Sequence, residues 1–229
     1  MKTLRRPGTL SYNTGMKRRQ FLGYVAATAS AATIISACNK NDSSSGSNGG
    51  IDLGSGDPGI LNYAYALEQL EAAFYMQVIT TQYSGITADE ISLLTDIRDH
   101  EIAHREFLKA ALGTSAIPGL GVNFTTIDFS SRDSVLGTAK VFEDLGVSAY
   151  NGAGQLLTST DYLLVAGKIV SVEARHAAYI RDLISYGSFA DSTVVDANGL
   201  DEANTPADVL MAASPYLTSK LDASHLPTN

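Results

Sequence analysis

Read at alternating steps of three and four residues, the chain between residues 57 and 187 gives four apolar stripes of helical period, each longer than an average globular helix. The first predicted helix takes Asp57 as N-cap and Pro58 as its first residue, and runs to about Gln82. The second starts at Thr87, whose spacing to Glu90 makes a capping box, and ends before Gly113. The third follows Ser130 or Ser131 and runs to about Leu157, with Gly152 and Gly154 marking a bulge, a kink or the helix end. The fourth follows Thr158 or Ser159 and stops at Gly187, where a glycine can take the left-handed cap. Short links join the first helix to the second and the third to the fourth, so each pair folds as an antiparallel hairpin. Between the hairpins, "TSAIPGLGVNFTTIDFSS" is long enough to cross the bundle. The expected fold class is all-α, a four-helix bundle of two antiparallel hairpins joined by one long crossover. Residues 188–229 read as an irregular C-terminal extension with one short extra helix capped by Thr205, and His225 as an ordinary surface residue.

The stripes are apolar except where they carry acids, histidines and tyrosines. The first reads Leu61, Ala64, Glu68, Glu71, Tyr75, Val78, and the third Leu136, Ala139, Glu143, Gly146, Tyr150, Ala153, Leu157. The second reads Leu94, Ile97, Glu101, His104, Leu108, Ala111, and the fourth Ala166, Ile169, Glu173, His176, Ile180, Leu183. The two halves therefore repeat one device: Glu with Tyr seven residues on, a turn, then Glu-x-x-His, the glutamates lying 101 − 68 = 33 residues apart in one half and 173 − 143 = 30 in the other. Of the eight glutamates in the chain, five fall on these stripes, which makes a chance arrangement a poor explanation. An unpaired carboxylate in an apolar core costs several kcal/mol. Two divalent cations remove that cost: four carboxylates balance 4+ of charge, and two neutral imidazoles add nitrogen ligands. Glu71 shares the stripe with Glu68 but has Gly146 as its counterpart, so it is the doubtful member, and Gly146 leaves room for a small oxidant or an extra ligand.

Residues 100–104, "HEIAH", also match the zinc-peptidase run His-Glu-x-x-His. A slightly rotated stripe through Leu93, Ile97, His100, His104, Phe107 and Ala111 is mostly apolar too. The fourth helix argues against the peptidase, because Val172 precedes Glu173 and the duplicated element is Glu-x-x-His alone. A zincin also needs a third ligand and a strand edge for its substrate. His100 then sits one step off the stripe as a flanking or surface residue, with a place beside the ligands as the alternative.

Through "LEQLEAAFY", "DHEIAHREFLKAALG", "FEDLGVSAYNGA" and "VEARHAAYIRDLI", roughly residues 57 to 187 resemble the ferritin-like superfamily, and within it the extracytoplasmic ferritin-like domains related to plant desiccation proteins. The resemblance implies a ferritin-like four-helix bundle with a dinuclear iron or manganese centre. Glu101 and Glu173 would bridge the ions, Glu68 and Glu143 would be terminal ligands, and His104 and His176 would bind one ion each. Tyr75 and Tyr150 would stand beside these ligands, able to hydrogen-bond one or to supply an electron. The expected activity is oxidation of iron or consumption of oxygen or peroxide, ferroxidase-, peroxidase- or catalase-like. The alternative is a structural or stress-protective envelope lipoprotein in which metal merely holds the bundle.

Charge and the N-terminal segment add a location. The first 37 residues hold six of the sixteen Lys and Arg and no acid, so the remainder carries 16 − 6 = 10 bases against twenty-four acids, net −14. Such a body argues against nucleic acid as a partner and suits one that handles cations. Arg18-Arg19-Gln20-Phe21-Leu22 resembles a twin-arginine export signal, which serves already folded proteins, with Met16 as an alternative start. Ile35-Ser36-Ala37-Cys38 resembles a lipobox ending on the sole cysteine, so residues 1–37 read as signal peptide and Cys38 as a lipid anchor to the membrane. Residues 38–56 are Ser, Gly and Asn with little to bury and read as a flexible tether. The location expected is periplasm or cell envelope; a homo-oligomer fits, whereas a mineral-storing cage would be obstructed by the tether and tails.

Overall fold

A computed structural model of the chain describes residues 49–228. The export signal, Met16 and Cys38 lie outside the described residues. Strand β1 (Ile51–Asp52) precedes helix α1 (Gly56–Thr80), then α2 (Ala88–Leu112), α3 (Arg132–Gly154), α4 (Thr160–Ile184), α5 (Pro206–Ala213) and strand β2 (Leu221–Asp222). The expected all-α bundle is present: α1 packs along α2, α3 packs along α4, and α1 also meets α3. Residues 113–131 form the crossover.

Local chemistry sets the helix starts. Thr87 and Glu90 form the expected capping box, with the Glu90 N–H donating to Thr87 Oγ1 at 3.2 Å and the Thr87 N–H to Glu90 Oε2 at 3.0 Å. Ser131, Ser159 and Thr205 each accept from a backbone N–H three residues on and so cap α3, α4 and α5. Asp57 differs from expectation. Ser55 is the N-cap, and Asp57 lies in the first turn of α1, where its carboxylate accepts from the backbone N–H groups of Thr158 and Ser159, both at 2.8 Å. It therefore ties the start of α1 to the turn between α3 and α4. The fourth helix ends at Ile184 rather than Gly187; Gly187 takes the positive φ of 85° in the turn beyond. Gly154 is the last residue of α3, and Gly152 lies inside the helix, where an added Cβ would stand 1.8 Å from the carbonyl oxygen of Asn204.

Helix α1 is buried on every side from Gly59 to Ala72, which a single core-facing stripe does not predict. The crossover covers its outer face, and the polar residues there hold it. Asn62 donates to the carbonyls of Leu53 and Ser115 and accepts from the Ile117 N–H, and Gln69 accepts from the Leu120 N–H at 2.9 Å. The segment read as a tether up to residue 56 joins the fold from Ile51: β1 pairs in parallel with β2, Ile51 opposite Leu221, and Leu53 is fully buried. His225 is exposed as expected and lies 3.2 Å from Asp52. Past α4, the extension is fixed by Arg181, a buried guanidinium held by Asp144 at 2.7 and 2.8 Å and reaching Asp191 and Thr193. Among the described residues no helix is long and apolar enough to cross a membrane.

Candidate metal centre

The helical spacing places Glu68 and Tyr75 on α1, Glu101 and His104 on α2, Glu143 and Tyr150 on α3, and Glu173 and His176 on α4, all turned to the bundle axis. Glu68, Glu101, Glu143 and Glu173 are completely buried, and His176 is 5% exposed. The six candidate ligands come together as two overlapping quartets: Glu68, Glu101, His104 and Glu173, and Glu101, Glu143, Glu173 and His176. Within each quartet one donor atom per residue lies within 4.8 Å of every other. Glu101 and Glu173 belong to both, whereas each remaining glutamate and each histidine belongs to one.

The distances repeat across an approximate two-fold relation. Nδ1 of His104 lies 2.8 Å from Glu173, 3.5 Å from Glu68 and 3.7 Å from Glu101. Nδ1 of His176 lies 2.9 Å from Glu101, 3.4 Å from Glu143 and 3.8 Å from Glu173. The tyrosines cross the bundle: Tyr75 of α1 donates to Glu143 of α3, and Tyr150 of α3 donates to Glu68 of α1, both at 2.5 Å. Each outer carboxylate thus has one oxygen held and the other turned inward.

Close as they are, the inward atoms are not aligned as hydrogen bonds. Eleven buried side-chain nitrogen or oxygen atoms among the described residues lack a hydrogen-bond partner, and eight belong to these six residues: one oxygen each of Glu68 and Glu143, both oxygens of Glu101 and Glu173, and Nδ1 of both histidines. Buried polar atoms are nearly always partnered, so eight orphans in one place call for a group that satisfies them together. The donor set suits divalent iron or manganese: hard carboxylate oxygens, two imidazole nitrogens, and a summed charge of four negatives with the imidazoles neutral.

Without cations the cluster balances itself with protons. Burial alone would lower both histidines, but the facing carboxylates outweigh it, Glu101 foremost, and push His104 and His176 each up to about 12. Burial would raise Glu173; the two imidazoles against it instead bring it down to about 2. Glu143 is pushed up to about 7, burial overcoming the help of His176 and Tyr75. Burial and the neighbouring Glu173 also raise Glu68 and Glu101.

Glu71 is buried but belongs to neither quartet. Its Oε1 would lie 3.1 Å from a Cβ added to Gly146, so the room left by that glycine is taken by the Glu71 carboxylate. Burial, then Glu101 and Glu173, hold its carboxyl well above the ordinary range.

His100 is not simply a flanking surface residue. Its Nδ1 lies 2.9 Å from Nε2 of His176, the ring atom facing away from the carboxylates. Burial, followed by the charges of His176 and His104, lowers its pKa. The contact follows the alternative reading of His100, as a residue beside the ligands, and its signal in the sequence is the histidine itself, since its position lies off the stripe. His100 is in neither quartet, so the two histidines of "HEIAH" do not converge as the pair of a zinc peptidase would.

A family model described as a ferritin-like domain matches residues 56–186, the stretch that spans α1 to α4. No curated protein matches the chain.

Proposed function

The chain belongs to the family of ferritin-like domains, and we propose that its buried carboxylate–imidazole cluster holds two divalent ions, iron or manganese, in a carboxylate-bridged centre that oxidises iron or consumes oxygen or peroxide. The observation that carries the reading is the set of eight buried orphan atoms on six residues placed in two overlapping quartets. Glu101 and Glu173, which belong to both quartets, would be shared by the two ions, Glu68 and Glu143 would each hold one, and His104 and His176 would each offer Nδ1 to one. The chemistry such a pair supplies is two-electron exchange with oxygen or peroxide. Tyr75 and Tyr150 hold the terminal carboxylates through one oxygen, which fixes their orientation at the ions. Ile97 and Leu136, on the same helical stripes as the candidate ligands, are buried in the apolar core.

The twin-arginine-like run at Arg18-Arg19 and the lipobox-like run ending at Cys38 support a place in the cell envelope, anchored by lipid. Export after folding fits the chemistry: a site closed in the cytoplasm keeps the metal chosen there, away from copper and zinc, which bind such ligands more tightly.

The test is elemental analysis of purified residues 48–229 beside Glu101→Ala and Glu173→Ala. Two iron or manganese ions per chain, lost in both variants, together with oxygen or peroxide consumption, are expected. One zinc per chain with peptidase activity would refute the proposal. Bound metal without turnover would assign the centre a structural role in the envelope instead.

A further inference from the structure

The six candidate ligands and the two tyrosines match between the two halves, but what stands behind each histidine does not. The position before Glu101 is His100, and the equivalent position before Glu173 is Val172, which has no polar side-chain atom. The His100 and His176 ring planes lie 7° apart with centroids 5.2 Å apart. That separation coexists with a 2.9 Å Nδ1···Nε2 distance, so the rings meet edge to edge, nearly coplanar, and not face to face. This is the alignment of an N–H···N hydrogen bond, and it leaves no room for a cation between the two nitrogens. Nδ1 of His176 faces Glu101, Glu143 and Glu173, where it can ligate only as a bare lone pair. The ring proton of a ligating, neutral His176 must then sit on Nε2 and be donated to Nδ1 of His100, whose own proton sits on Nε2.

Resting on the dinuclear reading above, we infer that His100 is a positioning residue for one ion only. Its bond to His176 fixes the tautomer and ring orientation in which Nδ1 ligates, and makes the Glu143/His176 end of the centre bind metal more tightly than the Glu68/His104 end. A ligating histidine ordinarily has such a partner on its other nitrogen, and losing it weakens metal binding by about 10- to 100-fold. The sequence duplication therefore yields a centre with two unequal ends. The difference comes from α2 of the first hairpin acting on α4 of the second.

The test is titration of the metal-free full-length protein with cobalt(II), followed by calorimetry and by the visible absorption of the bound ion. Wild type is expected to take two ions with unequal affinities. His100→Ala, a change at an exposed helix position, should weaken the tighter step by about 10- to 100-fold and alter its absorption band, leaving the weaker step unchanged. His100→Asn, whose side-chain oxygen can stand near the place of Nδ1, should restore most of the affinity and the band. An unchanged isotherm and spectrum in His100→Ala would overturn the inference while leaving the centre intact. Equal weakening of both steps without rescue by His100→Asn would overturn it as well, as a general loosening of the bundle. Wild type that takes up no cobalt would remove the dinuclear reading and this inference with it.

Discussion

Glu143 allows the cost of the centre to be measured apart from its function. The carboxyl is fully buried, accepts the Tyr75 hydroxyl at 2.5 Å, and is pushed up to about 7 from an ordinary 4.5. Because the folded value lies above the unfolded one, ionising the group opposes folding. The cost is nearly absent at pH 4.5, grows as pH rises toward 7, and is complete above it. The difference, 7 − 4.5 = 2.5, corresponds to about 3 kcal/mol. Glu143→Gln keeps the shape and an oxygen for Tyr75 but never carries the charge. It gives up about 1 kcal/mol where a charge-assisted hydrogen bond becomes a neutral one. In EDTA at pH 8 the variant should therefore be more stable than wild type by about 2 kcal/mol, a rise of about 4 to 8 °C in the melting temperature. At pH 4.5 the advantage should vanish. Manganese(II) at a hundred times its dissociation constant adds about 2.7 kcal/mol per ion to wild type, and less to a variant lacking a terminal ligand. Added manganese should thus reverse the order at pH 8. Thermal unfolding followed by far-UV circular dichroism reads all three conditions. A variant less stable than wild type in EDTA at pH 8 would show that the buried Glu143 charge does not oppose folding, and an order that manganese leaves unchanged would show that Glu143 does not hold the ion.

The same proton balance predicts how metal uptake depends on pH. His104 and His176, each raised to about 12 without metal, lend the metal-free protein stability that is fully present below about 6.5 and fades as pH climbs toward 12. Metal must displace those protons, so binding should release at least one proton per ion and tighten with rising pH; calorimetry in two buffers of different ionisation heat would detect the release, and pH-independent binding would contradict it. Away from the centre, Gly152→Ala would place a Cβ 1.8 Å from the Asn204 carbonyl oxygen, against backbone that cannot yield, where Asn204 also donates its N–H to the Ser148 carbonyl at 3.0 Å. A loss of about 1 to 3 kcal/mol is expected, with faster proteolysis between residues 188 and 205; an unchanged cleavage pattern would show that the extension does not depend on that contact.

What could be read from the sequence follows from the range of the interaction responsible. Thr87, Ser131, Ser159 and Thr205 cap helices through bonds spanning three residues, so those starts are legible; α2 also ends where expected, before Gly113, whereas α1, α3 and α4 end two or three residues sooner than their stripes suggest because no comparably specific local bond marks those ends. Asp57 has the composition of a cap, but its partners lie 101 and 102 residues away, and no local rule anticipates them. The parallel pair β1–β2 is two residues long on each side, too short for any periodicity. Burial of α1 on all faces escaped the stripe because Asn62 and Gln69 look solvent-facing until the crossover backbone arrives to bond them. The six cluster residues were legible for the opposite reason: a charge that repeats at matched positions on four apolar stripes has few explanations other than a shared ligand.

Glu71 and Gly146 bear on the charge argument itself. A fifth ionised glutamate beside the quartets would leave one negative charge beyond what two divalent ions neutralise. Burial and the surrounding Glu101 and Glu173 hold the Glu71 carboxyl well above the ordinary range, which favours its neutral form in the metal-free cluster. Its place is made by the partner helix, since a side chain at Gly146 would meet Glu71 Oε1 at 3.1 Å and Glu173 Oε2 at 3.7 Å. The two departures from the internal repeat thus share a direction. In each, the first hairpin carries the extra group, His100 on α2 and Glu71 on α1. In each, the second hairpin has the smaller or apolar residue at the matching position, Val172 for His100 and Gly146 for Glu71. An exact repeat would give two interchangeable ends; these two pairs give the centre a polarity while leaving its six candidate ligands and their charge untouched.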